Sequence, residues 1–346
     1  MKKDNPYTLV FGKEPLQLIS RMPQSMAVID SFTRNTPSQM VYMITGIRGS
    51  GKTVFMTEIA SQLKKDKDWI VVELNPDRDL LQSFAAKLTS IEGLAQIFQN
   101  AKLNLSFLGF GMEVSGAAPI LDIETAISRM LLALKAHHKR VLVLIDEVTN
   151  TKEMRIFASA YQILIRQDLP VFLLMTGLYE NIRELQDEKN LTFLYRAPRI
   201  ELKPLNITSI AQRYKKVFSL DDRKAEQMAG LTKGYPFAFQ VMGYFTWEVG
   251  GNYEAILDDY RQYLEEYVYE KIWSELSRED RRVAYAVASS PTGKISEIRE
   301  QLDMDTNHFT PYRTRLIRKG ILEGDVRGYV HFVLPLFEDF VKSKFY

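Results

Sequence analysis

Residues 46–53 read Gly-Ile-Arg-Gly-Ser-Gly-Lys-Thr, three glycines within six positions followed at once by a lysine and a hydroxyl side chain. Glycine lets a backbone turn tightly enough for successive N–H groups to face one centre, and such a concavity suits a polyphosphate. The pattern predicts a phosphate loop made of Gly46, Ile47, Arg48, Gly49, Ser50, Gly51, Lys52 and Thr53, with Val54 continuing into a helix whose N-terminal dipole adds positive potential. Lys52 is expected to reach the terminal phosphates, and the Thr53 hydroxyl to sit on Mg²⁺. A second group follows the apolar run Val141-Leu142-Val143-Leu144-Ile145, which ends in Asp146-Glu147. There Asp146 is expected to hold the Mg²⁺ through water, and Glu147 to take a proton from the water that attacks the γ-phosphate. The run Val171-Phe172-Leu173-Leu174-Met175 ends in Thr176-Gly177. Thr176 either reaches the γ-phosphate and its water or caps the helix starting near Leu178, and the two roles are compatible. The Asn-Lys-x-Asp pattern that reads guanine is missing, since Thr151-Lys152-Glu153-Met154 lacks the aspartate, so ATP is expected in preference to GTP.

Those groups need a scaffold that brings strand ends together. Continuous apolar runs of five residues read as central strands of a parallel sheet, buried on both faces, and ligands bind at the carboxyl ends of such strands. From 41 to about 202 the chain alternates strand and helix: strands at 41–45, 69–74, 141–145, 171–175 and 198–205, and helices near 54–63, 79–88, 122–136 and 153–166. This predicts a doubly wound α/β domain over 1–205. Around 101–116, Leu103, Leu105 and Phe107, then Phe110, Met112 and Val114, alternate with small or polar residues about Leu108-Gly109, which predicts an inserted β-hairpin.

Residues 206–274 read as helical throughout, with breaks at Asp221-Asp222, Gly234-Tyr235-Pro236 and Gly250-Gly251, and they form the expected lid. Residues 275–346 are laid out differently. Helix 279–289 and a second helix carrying Ile295, Ile298 and Leu302 precede a third that ends at Lys319-Gly320, and the segments 321–323 and 329–333 flank Gly324-Asp325-Val326-Arg327-Gly328. Three helices and a two-stranded wing predict a winged helix-turn-helix. Its third helix has an apolar stripe at Phe309, Tyr312 and Leu316, with Asn307, Thr310, Thr314 and Arg318 opposite and Arg315 and Lys319 beside them, a face suited to duplex DNA. Pro311 must sit in the first turn of that helix or kink it.

Composition narrows the chemistry. The 346 residues contain no cysteine, which removes disulfides, thiolate metal sites and cysteine nucleophiles. His137, His138, His308 and His331 have no spacing that suits a metal. No run of about 18 apolar residues exists, so no membrane span is predicted and a soluble, cytoplasmic protein is expected. Formal charge is only +2 overall, and twelve basic residues face ten acidic ones over 277–346, which is thin electrostatics for a stand-alone DNA binder.

Gly-Ile-Arg-Gly-Ser-Gly-Lys-Thr, Ile-Asp-Glu, Met-Thr-Gly, the Leu202 to Leu205 fragment and Gly234-Tyr235-Pro236-Phe237-Ala238 before the last helices resemble the archaeal-type ATPases of the AAA+/STAND division of P-loop NTPases. The layout is similar to that of origin-recognition initiator ATPases, and Val10-Phe11-Gly12-Lys13-Glu14 resembles the Phe-Gly-Arg-Glu box ahead of their core. The resemblance implies that Thr176 is the first sensor and that Tyr235 and Pro236 lie in the lid turn near the nucleotide. It also implies an arginine finger, for which Arg196 in Leu194-Tyr195-Arg196-Ala197-Pro198-Arg199 is the candidate, although no arginine follows Tyr235 where relatives have a sensor.

The expectation is an ATP-binding, Mg²⁺-dependent ATPase of low turnover that acts as a conformational switch, ATP clamping the lid and winged helix and hydrolysis at Glu147 releasing them. The alternative is an ATP-regulated DNA-binding protein, initiator-like or transposition-helper-like. Expected partners are ATP and ADP, with duplex DNA, a protein partner and self-association left open.

Overall fold

The computed structural model describes residues 4–10, 12, 15–104, 120 and 122–345, and all counts below refer to them. The predicted hairpin falls largely on 105–119, outside the described residues, as do Phe11, Lys13 and Glu14 of the early box. The chain divides into two compact units, an α/β unit of residues 21–45 and 52–201 and a helical unit of residues 1–20, 46–51 and 202–346.

In the α/β unit, α1 (Met22–Thr33) leads to β1 (Val41–Thr45), and α2 (Lys52–Leu63) to β2 (Trp69–Leu74). Then come α3 (Leu80–Ser90), α4 (Leu94–Asn100), α5 (Ile123–Ala136), β3 (Arg140–Ile145), α6 (Lys152–Arg166), β4 (Val171–Gly177), α7 (Tyr179–Gln186), α8 (Thr192–Arg196) and β5 (Arg199–Glu201). The five strands are all parallel and lie in the order β2-β3-β4-β1-β5, so β4 is inserted between the two strands that carry the sequence motifs.

Alternation of side chains along these strands gives the sheet two apolar faces. Val141, Val143, Ile145, Leu173 and Met175 pack with Leu81, Phe84, Ile127, Leu131, Phe157 and Tyr161 of α3, α5 and α6. On the opposite face Phe32 of α1 meets Tyr42, Trp69 and Phe172. Both faces are covered, as a parallel sheet requires. Polar side chains close the helix starts: Asp79, Asp122 and Thr151 accept the N–H groups of Gln82, Thr125 and Met154. The strand expected over 198–205 is shorter than its apolar pattern, because β5 pairs only with β1 and Pro204 has no N–H to extend the ladder.

In the helical unit, α9 (Ile207–Phe218), α10 (Asp222–Gly230) and α11 (Pro236–Glu248) are followed by a 3₁₀ turn (Tyr253–Ile256), α12 (Leu257–Leu264), a π-helical stretch (Glu265–Tyr269) and α13 (Glu270–Ser274). Asn206 and Asp221 cap α9 and α10, and Pro236 opens α11, where its missing N–H costs nothing. Tyr7 of the N-terminal segment is buried among Tyr214, Phe218 and Phe239.

The rest is α14 (Arg278–Ser289), α15 (Ile295–Leu302), α16 (Thr306–Arg318), the antiparallel ribbon β6 (Leu322–Glu323) and β7 (His331–Phe332), and α17 (Phe337–Ser343). Lys294, just before α15, forms an antiparallel bridge with Tyr329, so the turn between the first two helices joins the ribbon. Phe309 and Leu316 of α16 are buried and Tyr312 is half-buried. Pro311 sits sixth in α16, past the first turn, and the helix runs on through it. The proline removes the N–H that would bond the Asn307 carbonyl, and the adjacent Thr310 Oγ1 donates to the Thr306 carbonyl at 2.6 Å.

Candidate functional site

In the α/β unit the carboxyl ends of β1, β3 and β4 are aligned by register, Thr45 opposite Gly177 and Ile145 opposite Met175. Beyond them, Asp146 gathers the polar residues of both neighbouring elements. Thr53 Oγ1, at the second position of α2, donates to Asp146 Oδ2 at 2.7 Å. Thr176 Oγ1 bonds Asp146 Oδ1, which also accepts the Glu147 N–H at 3.0 Å. The same Glu147 N–H lies 3.2 Å from Thr176 Oγ1, and Val148 N–H donates to the Thr176 carbonyl at 2.8 Å.

Thr53, Asp146, Glu147 and Thr176 therefore form one network. Thr176 is fully buried, the terminal carboxylate of Glu147 belongs to an exposed residue, and Lys52, the first residue of α2, is 8% exposed. Glu147 has φ +52°, in the left-handed region that disfavours a residue with a Cβ. This turn breaks the line of the strand directly after Asp146.

The glycine-rich residues 46–51 belong to the helical unit, and the chain passes from Gly51 into Lys52. Gly49 has φ +71°, and a Cβ there would lie 2.1 Å from the Tyr235 hydroxyl, so only glycine fits. That hydroxyl donates to the Arg48 carbonyl at 2.6 Å, and the Phe237 N–H donates to the Gly49 carbonyl at 3.2 Å. Two loop carbonyls are thus held from outside by the start of α11. Tyr235 is 3% exposed, and burial pushes its phenol well above the usual range, with the Arg48 charge acting the other way.

A Cβ on Gly46 would lie 2.4 Å from Ser50 Oγ, so the loop is drawn in on itself. That Ser50 hydroxyl is buried and has no hydrogen-bond partner among the described residues. Ile47 packs beneath Gly320, whose added Cβ would stand 3.3 Å from that of Ile47. Pro236, the first residue of α11, faces Gly51 across ordinary van der Waals distance, and Val54 is half-buried in α2.

Arg196 is the last residue of α8 and is exposed, beside Tyr195. On α16, Asn307, Thr310 and Arg318 are exposed and Thr314 and Lys319 half-buried. Arg315 is differently placed from the outward-facing residue its position suggested. Its Nε lies 2.8 and 3.0 Å from the two Asp280 carboxylate oxygens, and its Nη2 2.8 Å from the first of these. Asp280 is 2% exposed and also closes the capping box of α14 with Ser277. Sequence reasoning missed this pair because its halves are 35 positions apart on different helices. It likewise missed the bond of Arg48 Nη2 to Glu275 Oε1 at 2.7 Å.

A parallel β2-β3-β4-β1-β5 sheet, with a glycine loop after β1 and an acidic pair after β3, is the fold of the P-loop NTPases. Residues 28–193 match the family described as an ATPase domain predominantly from Archaea. Residues 266–341 match one described as a domain of unknown function (DUF8462). No curated protein matches the chain. Among solved structures, it is similar to a Walker-type ATPase of Pyrococcus abyssi, at 15% identity and TM-score 0.66, over 94% of this chain and 96% of that one. It is also similar to the ORC2 protein of Aeropyrum pernix in ADPNP and ADP complexes, at 12% identity and TM-score 0.63, over 96% and 95%. At such identities the likeness is one of fold. Among the described residues no helix is long and apolar enough to cross a membrane.

Proposed function

We propose that this protein is a Mg²⁺-dependent ATPase of low turnover that works as a nucleotide-controlled switch. The observation that carries the reading is the Thr53–Asp146–Thr176–Glu147 network, which stands directly after the loop and lysine that a polyphosphate requires. Thr53 Oγ1 and Asp146 Oδ2 lie 2.7 Å apart, a separation compatible with Thr53 on a small octahedral cation and Asp146 holding one of its waters. The unpartnered Ser50 hydroxyl and the tight Gly46–Ser50 approach suit a loop that closes around phosphate oxygens. Bound Mg²⁺ would neutralise charge developing on the β- and γ-oxygens.

Lys52 would balance the terminal phosphates. Glu147 would take the proton of the attacking water, and Thr176 would hold Asp146 and the Glu147 N–H in register. Arg196 remains the proposed finger, supplied to a second copy from its exposed position on α8. Hydrolysis without that contact would be slow, since such an arginine is worth roughly 10³ to 10⁵ in rate. The switch reading is supported by the way Tyr235, Phe237 and Gly320 grip residues 47–49, so that the loop's nucleotide state is felt in α11 and at the end of α16.

Titration of Mg-ATP into wild type and Lys52→Ala tests this reading. Binding to wild type with a large loss in the variant is expected. Equal affinity, or no binding to either, would refute it.

The exposed stripe of Asn307, Thr310 and Arg318 on α16 favours a second reading, ATP-regulated binding of duplex DNA through a winged helix that includes the Lys294–Tyr329 bridge. The engagement of Arg315 with Asp280 leaves that face fewer cations. A mobility-shift titration at low and physiological salt, with and without ATP, decides: phosphate contacts must weaken steeply with salt. No shift under any condition eliminates it.

A further inference from the structure

We infer that Arg48 senses the γ-phosphate, and that Glu275 holds its guanidinium in the phosphate's stead when no triphosphate is bound. The inference rests on the ATPase reading above. Arg48 carries the one charged side chain of residues 46–51. Its carbonyl is fixed by Tyr235, the next carbonyl by Phe237, and the preceding residue lies under Gly320. The backbone at this point is therefore anchored while the side chain leaves the loop and ends on Glu275. Both partners of that pair are about one third exposed, so the pair is hydrated and weak enough to exchange.

Glu275 caps the end of α13, one turn after Lys271, whose Nζ lies 3.5 Å away. Two residues on, Ser277 begins the capping box of α14 with Asp280, the carboxylate that holds Arg315 of α16. Glu275 thus stands at the joint through which α13 leads into the C-terminal helices.

A terminal phosphate carries about two negative charges and three acceptor oxygens, and it suits the forked guanidinium better than one carboxylate does. ATP in the loop would draw Arg48 off Glu275 and free the α13–α14 joint, whereas ADP, lacking that group, would leave the pair closed. Within the lid, α11 (Pro236–Glu248), the helix whose start holds the loop, contains neither Lys nor Arg.

The test is calorimetric titration of the full chain with Mg-AMP-PNP and, separately, with Mg-ADP. Four proteins are compared: wild type, Glu275→Gln, Arg48→Ala and the reversed pair Arg48→Glu with Glu275→Arg. Glu275→Gln is expected to raise the preference for AMP-PNP over ADP by about fivefold, the upper worth of an exposed ion pair. Arg48→Ala is expected to lower that preference by about tenfold or more, the worth of one charged hydrogen bond.

The reversed pair separates sensing from a structural tie, because it can restore the salt bridge but not the phosphate contact. Its preference is expected to stay as low as that of Arg48→Ala, with the melting temperature near wild type. Equal factors for both nucleotides in the single variants, or recovery of the preference in the reversed pair, would overturn the inference and leave the ATPase reading standing. Failure of wild type to bind either nucleotide would overturn the ATPase reading and the inference together.

Discussion

Replacing Tyr235 by Phe removes one oxygen atom from the point where the start of α11 holds the glycine-rich loop. The hydroxyl donates to the Arg48 carbonyl at 2.6 Å inside a site where Tyr235 is 3% exposed, so water cannot easily replace it. A net intramolecular hydrogen bond is worth about 0.5–1.5 kcal/mol, and leaving a buried acceptor unmade can add to that, so a loss of about 1–2 kcal/mol is expected. For a unit of this size each kcal/mol corresponds to about 2–4 °C, which gives a melting shift of about 2–8 °C. The ring still fills its space, so the Phe237 N–H to Gly49 carbonyl bond should persist and the loop should loosen at residue 48 rather than detach.

Nucleotide binding must then reorder that peptide, and fixing one residue's backbone costs about 1–2 kcal/mol, so ADP affinity should fall by about fivefold to thirtyfold. Calorimetric melting gives the first quantity, titration with Mg-ADP the second, and amide hydrogen exchange over 46–51 locates the change. A melting shift below about 1 °C together with unaltered ADP affinity would refute the argument that the tyrosine hydroxyl holds the loop.

Glu147→Gly should abolish hydrolysis while leaving the melting temperature unchanged or higher, because a left-handed φ costs a residue with a Cβ about 1 kcal/mol and glycine nothing; a clear loss of stability would contradict this. Arg315→Gln should destabilise by about 3 kcal/mol, since it strands a buried carboxylate, and Asp280→Asn by less, since Arg315 can rehydrate; urea unfolding of both orders the two. Burial raises the phenols of Tyr161, Tyr214, Tyr235, Tyr260 and Tyr269. The unfolded chain therefore loses those protons first, and stability is full below about pH 10 and declines above it by up to about 1.4 kcal/mol per group per pH unit. Thermal melts across that range, with tyrosinate absorbance as the second probe, should show unfolding and ionisation together.

The α/β layout was legible because its signals are local and strong. Val141–Ile145 and Val171–Met175 are apolar without interruption, and Gly46–Thr53 carries its chemistry in eight consecutive residues. The sheet order adds what no local signal holds, namely that β4 lies between β1 and β3, which is why Thr176 meets Asp146. Short helices such as α4 and α8 offer too few turns for a period to emerge. The left-handed turn at Glu147 is invisible in sequence, because glutamate gives no sign of positive φ.

The charged residues were the hardest to read. On spacing alone Arg315 stands beside the outward face of its helix and Arg48 in the glycine-rich loop, and both end on carboxylates, Asp280 and Glu275, that only the folded chain brings near. A cation's role depends on which anion reaches it, and that is set by helix packing across tens or hundreds of positions. Pro311 belongs to the same class, since the flanking caps at Asp305 and Lys319 let α16 carry it beyond its first turn.

The claim that this chain turns over ATP at Glu147 is tested most directly by phosphate release in Mg-ATP, wild type beside Glu147→Gln. The account predicts slow release by wild type, none by the variant, and unimpaired ATP binding in both. Equal release by the two proteins would contradict it.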